Sequence, residues 1–264
     1  MLSSIAFRCL DPILTFVSLF CCSDQKSISN FLSQINQFYQ NSPGDHLILI
    51  YAMETLQKKQ RNQFSSVPFD LGYVLKFKRH ILSILKDIHL FNEHQSDYFN
   101  VNSNNSGLVR SLICVGLSPN YGQVVDRGMI KTKNGIFHFQ SHSAFIKSIR
   151  RNGSGLQNLV AYGDFITVEN QKNYISNMSL VHPLALLILS PCLLELDACS
   201  SYLIADFILV KPQFEHYALI KRFREKVAAS MNSALFLNVA PVNQQNQLVL
   251  QNTVSILSHL EQFI

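Results

Sequence analysis

Apolar residues return at intervals of three and four over roughly the first 120 positions and then fall into short alternating runs, so the chain reads as helices followed by strands. The change comes at the end of Leu108 to Asn120. There Leu108, Leu112 and Val115 stand at i, i+4 and i+7 with Ile113 and Leu117 alongside, which predicts a helix with about a third of its circumference turned to a core. Gly116 and Pro119 stop it. Upstream, Leu10-Asp11-Pro12 predicts a helix start with Asp11 as N-cap and Pro12 at the first helical position. Ile28, Phe31, Leu32, Ile35 and Phe38 give a second helix over 27–39, which Asn41-Ser42-Pro43-Gly44 breaks. A third opens with Asp45 as its cap and runs to about Lys59. After polar residues 57–66, a long helix over 68–90 rests on Leu71, Val74, Leu75, Ile81, Leu82, Leu85 and Ile88. The polar segment Asn92 to Gly107 reads as a solvated linker.

From Tyr121 the period is that of strands. Gln123 to Lys131 and Ile136 to Phe139 flank Thr132-Lys133-Asn134-Gly135, whose Asn-Gly signals a type I′ hairpin. Residues 158–168 and 174–180 make a second pair, 183–189 a short helix, and 204–210 a fifth strand. A closing helix over 219–231 and a terminal helix from about Gln247 to Phe263 complete the reading. The class expected is therefore α+β: a helical domain over 1–120, a small five-stranded barrel with its closing helix over 121–235, and an extension over 236–264.

Composition changes this picture little. The chain has 264 residues, 47% of them apolar and 15% charged, as a folded protein does. A net charge of +5 permits contact with a polyanion without requiring it. The six cysteines include no C-x-x-C pair and no zinc-ligand spacing, so they read as buried thiols, and no metal site is expected. Arg8, Asp11 and Pro12 interrupt the apolar N-terminal run, which argues against a signal peptide, and no window reaches the length of a membrane span. His46, just after the expected cap, reads as a surface or capping histidine.

Several of these segments carry a resemblance. Arg110-Ser-Leu-Ile-Cys-Val-Gly-Leu-Ser-Pro-Asn resembles the segment that closes the ratchet domain of DEAH-box RNA helicases, just before their OB-fold. Leu10-Asp-Pro-Ile-Leu-Thr and Asp45-His-Leu resemble earlier ratchet helices, and Phe77-Lys-Arg-His-Ile-Leu is similar to a Leu-Arg-x-Gln-Leu-Leu helix with Lys78 and His80 substituted. In the barrel, Leu159 to Asp164 resembles a family strand, and Met178-Ser-Leu-Val-His-Pro-Leu-Ala-Leu-Leu resembles Met-Thr-x-Val-(Ser/Thr)-Pro-Leu-x-Leu-Leu. The matches cover roughly residues 8–235 in family order.

The resemblance implies a ratchet-like helical domain followed by an OB-fold: the C-terminal accessory region of a DEAH-type ATP-dependent RNA helicase, nuclear or cytoplasmic. It implies binding of single-stranded RNA and docking of G-patch-type activator proteins. The candidate phosphate contacts are Lys131, Lys133, Lys147, Arg150 and Arg151, with His142 and Phe145 as a stacking face. Tyr162 reads as core. No G-x-x-x-x-G-K-[ST] loop and no Asp-Glu-x-His motif occurs, so no ATP site, catalytic residue or cofactor is expected on this chain. The alternative is a protein-interaction scaffold derived from such a helicase that no longer contacts RNA.

Overall fold

A computed structural model describes residues 1–39, 44–58, 67–126, 128–139, 159–167, 173–190, 193–236, 243–260 and 262. The first half is helical: α1 (Leu2–Ala6), α2 (Leu10–Cys22), α3 (Gln25–Ile35), α4 (Asp45–Gln57), α5 (Leu71–Asp87) and α6 (Ser106–Gly116). Helix α2 starts one residue before the Asp-Pro signal, and Asp11 is not its N-cap. The Asp11 N–H donates instead to Asn100 Oδ1 at 2.8 Å, which leaves the Asp11 carboxylate to receive Lys78 Nζ at 2.7 Å. Lys78 is itself buried and donates to Thr15 Oγ1 at 2.7 Å, so the pair pins α5 on α2. Helix α5 opens at Leu71 and not Pro68, because Asp70 accepts the Tyr73 N–H at 3.0 Å and sets the cap there.

The expected linker over 92–107 is anchored in its second half. Single 3₁₀ turns at Glu93–Gln95 and Tyr98–Asn100 lead to α6, with Phe99 buried against Phe91. Asn102 donates through its backbone to Arg8 O at 2.8 Å and through its side chain to Phe7 O at 2.9 Å. Asn105 accepts the Leu108 N–H at 3.1 Å and caps α6. Asparagines act here as caps and turn formers, which a polar composition alone does not reveal.

Helix α6 is buried from Gly107 to Val115, all round and not over a third of its surface. It sits among α2, α4, the barrel and the later helices. The barrel consists of β1 (Tyr121–Asp126), β2 (Met129–Thr132), β3 (Gly135–Phe139), β4 (Leu159–Thr167) and β5 (Asn173–Val181), closed in the order β1-β2-β3-β5-β4. β3 runs parallel to β5 and the other pairs are antiparallel. Ile130, Phe137, Phe139, Val160, Tyr162 and Met178 fill its interior, while Leu159, Ala161 and Val181 point the other way, into the core around α6.

The α+β class and the five-stranded barrel are as expected, but two strand assignments change. Residues 123–131 are two strands and not one, with a turn at Gly128, whose φ of 95° suits glycine. Residues 204–210 belong to no barrel strand. After α7 (Pro183–Leu189), β6 (Leu193–Leu196), β7 (Ser201–Ile204) and β8 (Ile208–Val210) form a separate sheet, and 205–207 is the turn between the last two. Ala205 and Asp206 both have positive φ there, a tight reversal that an unbroken apolar run conceals. Helices α8 (Phe214–Phe236) and α9 (Gln244–Leu260) pack against each other and on α6 and α7. Among the described residues no helix is long and apolar enough to cross a membrane.

Helices and barrel meet at Gly44, Asp45 and His46. Gly44 bridges to Ser179 of β5, and a Cβ there would run into Ser179. Asp45 is the first helical residue and not the cap. Its carboxylate accepts the Met178 N–H at 3.0 Å, which ties α4 to β5. His46, expected at the surface, is fully buried beside the rings of Phe16 and Phe20. Neither ring nitrogen reaches hydrogen-bonding geometry among the described residues. Burial drives its pKa down to about 3, against a smaller opposing effect of the Asn177 backbone.

The folded imidazole thus stays neutral while the unfolded one takes up a proton below about pH 6.5, so His46 weakens the fold progressively from there towards about pH 3. Urea denaturation of the wild type and His46→Leu, from neutral to mildly acid pH, should show the wild type losing up to about 1.4 kcal/mol more per pH unit. Parallel pH dependences would contradict this.

Candidate nucleic-acid interface

Of the seven candidate contact residues, Lys131 and Lys133 lie among the described residues, and His142, Phe145, Lys147, Arg150 and Arg151 lie outside them. Lys131 projects outward from β2: the alternation along that strand sends Ile130 and Thr132 inward and leaves Lys131 exposed. Lys133, in the β2–β3 turn, is exposed but engaged, with Nζ at 2.6 Å from Asp206 Oδ2. One of the two described cations is therefore already neutralised by the β7–β8 turn. Tyr162 is buried in the barrel, as expected of core.

Around Lys131 the register builds a face that the sequence reading missed. One cross-strand row runs Gln123, Lys131, Ile136 and the next Asp126, Met129, His138, Tyr174, across β1, β2, β3 and β5. In β3 Phe137 and Phe139 point inward, so Ile136 and His138 point out, and Ile136 is 61% exposed. The rings of His138 and Tyr174 lie 5.8 Å apart at 45°. Together they present a tilted aromatic pair flanked by one cation and by aliphatic side chains. The signal was present as the Ile-Phe-His-Phe alternation of 136–139. The partnership with Tyr174 is not local, since it depends on the parallel pairing of β3 with β5.

Other groups with chemical potential are structural. Burial pushes the Cys9 and Cys114 thiols up to about 12, so neither is a nucleophile at neutral pH. Glu195 faces Lys221 at 3.3 Å and Arg224 at 3.8 Å, and Arg224 donates to the carbonyls of Leu187 and Ser190 near the end of α7. His182 caps α7: its Nδ1 accepts the Leu184 N–H at 3.2 Å, as a serine or threonine oxygen does at an N-cap. Among the described residues no cluster of His, Cys, Asp and Glu could hold a metal ion.

No protein-family model matches the chain, and no curated protein does.

Because Lys133 and Asp206 are both exposed, their bridge contributes little to folding. Asp206→Asn, which keeps a residue tolerant of the local φ of 64°, should leave urea stability within about 0.5 kcal/mol of the wild type. A loss well beyond about 1 kcal/mol would make the bridge a structural tie and not a surface contact.

Proposed function

We propose that this chain is the C-terminal accessory module of a DEAH-type ATP-dependent RNA helicase, binding single-stranded RNA and docking partner proteins such as G-patch-type activators in the nucleus or cytoplasm. The order of the helicase-like segments supports the assignment, and so does the barrel. A closed five-stranded barrel in the order β1-β2-β3-β5-β4 has the strand arrangement of an OB-fold, a fold whose second and third strands form an oligonucleotide-binding face. The observation that carries the reading is on that face: the outward His138–Tyr174 pair beside Lys131. Bases stack on aromatic rings without sequence preference, and a lysine neutralises a phosphate. In this reading the chain turns over no ATP by itself, because the sequence contains neither a phosphate loop nor an Asp-Glu motif.

A second reading, a protein-interaction scaffold that has lost RNA contact, is favoured by one feature of the same face. Lys133 is held by Asp206, and exposed Ile136 and Val125 give the surface an apolar character suited to a protein partner.

Fluorescence anisotropy with a labelled single-stranded RNA in low salt separates the two. Tyr174→Ala should weaken binding about tenfold, by loss of stacking. Lys131→Glu should weaken all sequences alike and reduce the slope of log affinity against log salt by about one unit. If the wild type fails to bind even at millimolar protein, the scaffold reading takes the place of the RNA reading.

A further inference from the structure

Helix α5 carries an apolar ridge that the described chain leaves uncovered. Its inner face is fixed by buried Val74 and Leu85 and by Lys78, tied to Asp11 and Thr15, so the helix cannot roll to hide other side chains. At 3.6 residues per turn, Tyr73, Phe77, Ile84 and Ile88 then fall within about 60° of one another on an outward flank. Tyr73 is 55% exposed, Ile84 45% and Ile88 55%, with Phe77 half-buried between them. One exposed apolar side chain needs no explanation, whereas four aligned along roughly 22 Å of helix mark a contact surface.

The intervals along this ridge are four, seven and four residues, so it reads the same in both directions. Two copies laid antiparallel about a two-fold axis near residues 80 and 81 would set Tyr73 of each against Ile88 of the other, and Phe77 against Ile84. The flanking charges obey the same symmetry. Lys76 and Asp87 project within about 20° of each other on one side of the ridge, yet stand roughly 16 Å apart along the axis, too far to pair within one helix. Neither is ion-paired with another described residue. In an antiparallel pair the same sides of the two ridges meet, which would bring Lys76 of each copy to Asp87 of the other, twice by symmetry.

We propose that α5 is a self-association face through which two copies of this chain pair, antiparallel and two-fold symmetric, with the Tyr73, Phe77, Ile84 and Ile88 ridge at the centre and reciprocal Lys76–Asp87 contacts at the rim. A single helix against a single helix falls at the small end of specific interfaces, below about 1,200 Å² in total, so the dimer is weak and reversible. It does not depend on the RNA reading.

Sedimentation equilibrium of the full chain, without RNA and from micromolar to millimolar concentration, tests it. The wild type should pass from monomer to dimer across that range. Ile84→Glu should weaken association about a hundredfold, since it puts a charge in the apolar centre. Lys76→Glu and Asp87→Lys should each weaken it about tenfold, and the double variant should return to within about threefold of the wild type. That recovery distinguishes facing charges from a folding defect, which a second surface change would not repair. The proposal fails if the wild type stays monomeric throughout, if Ile84→Glu dimerises like the wild type, or if the double variant associates no better than either single one.

Discussion

Between its two ends, helix α6 has no side turned to water. Every residue from Gly107 to Val115 is buried, and the core to which it belongs takes Ile13 and Phe16 from α2, Leu47 and Ile50 from α4, Leu159, Ala161 and Val181 from the barrel, and Leu250 and Leu257 from α9. Withdrawing Leu108, Val109, Leu112, Ile113 and Val115 from water is worth on the order of 10 kcal/mol, as much as the net stability of a whole domain. The helical half and the barrel are therefore built on one shared helix. Gly44, Asp45 and His46 complete that union by bringing α4 against β5 at the backbone, where the glycine admits a bridge and the aspartate receives an amide.

The same arrangement decides which barrel surface is open. β4 and β5 turn Leu159, Ala161 and Val181 toward α6, so the outward rows of β2 and β3 remain for a ligand. His138, Tyr174 and Lys131 stand there, while Lys133 is drawn to Asp206 on the neighbouring three-stranded sheet. A local charge count misleads on this point, because the partner of Lys133 comes from more than seventy residues away in sequence.

Much of the helical half was legible because its signals are local. The apolar spacing of α3 and α5 and the stop at Gly116 and Pro119 are read over a few residues. The Asn-Gly signal of the β2–β3 hairpin is local too, but the expected type I′ geometry does not form: of the turn residues Gly135 has positive φ, and the central Lys133 and Asn134 do not. What escaped was non-local. Asp11 and Asp45 carry N-cap chemistry, but tertiary partners, Lys78 and the Met178 amide, claim their carboxylates. His46 looks polar in sequence and is sealed by Phe16 and Phe20. The asparagines of 100–105 look like a solvated stretch and instead satisfy backbone groups of α2, of α6 and of Phe7 and Arg8 just after α1. By its hydrophobicity the 204–210 run reads as one strand, since nothing in it marks the reversal at Ala205 and Asp206. At the candidate interface a charge-based reading found Lys131, whereas the aromatic pair beside it needed the β3–β5 register.

If α6 is the element on which both halves depend, its amides should be released only when the whole molecule unfolds. Native-state hydrogen exchange resolves this directly. The amides of Leu112 to Val115 should exchange with the same free energy and denaturant dependence as those of Val160 and Ala161 in β4 and of Leu49 to Met53 in α4. Exchange of α6 through a smaller opening, while β4 or α4 stays protected at the global value, would contradict the shared-core account.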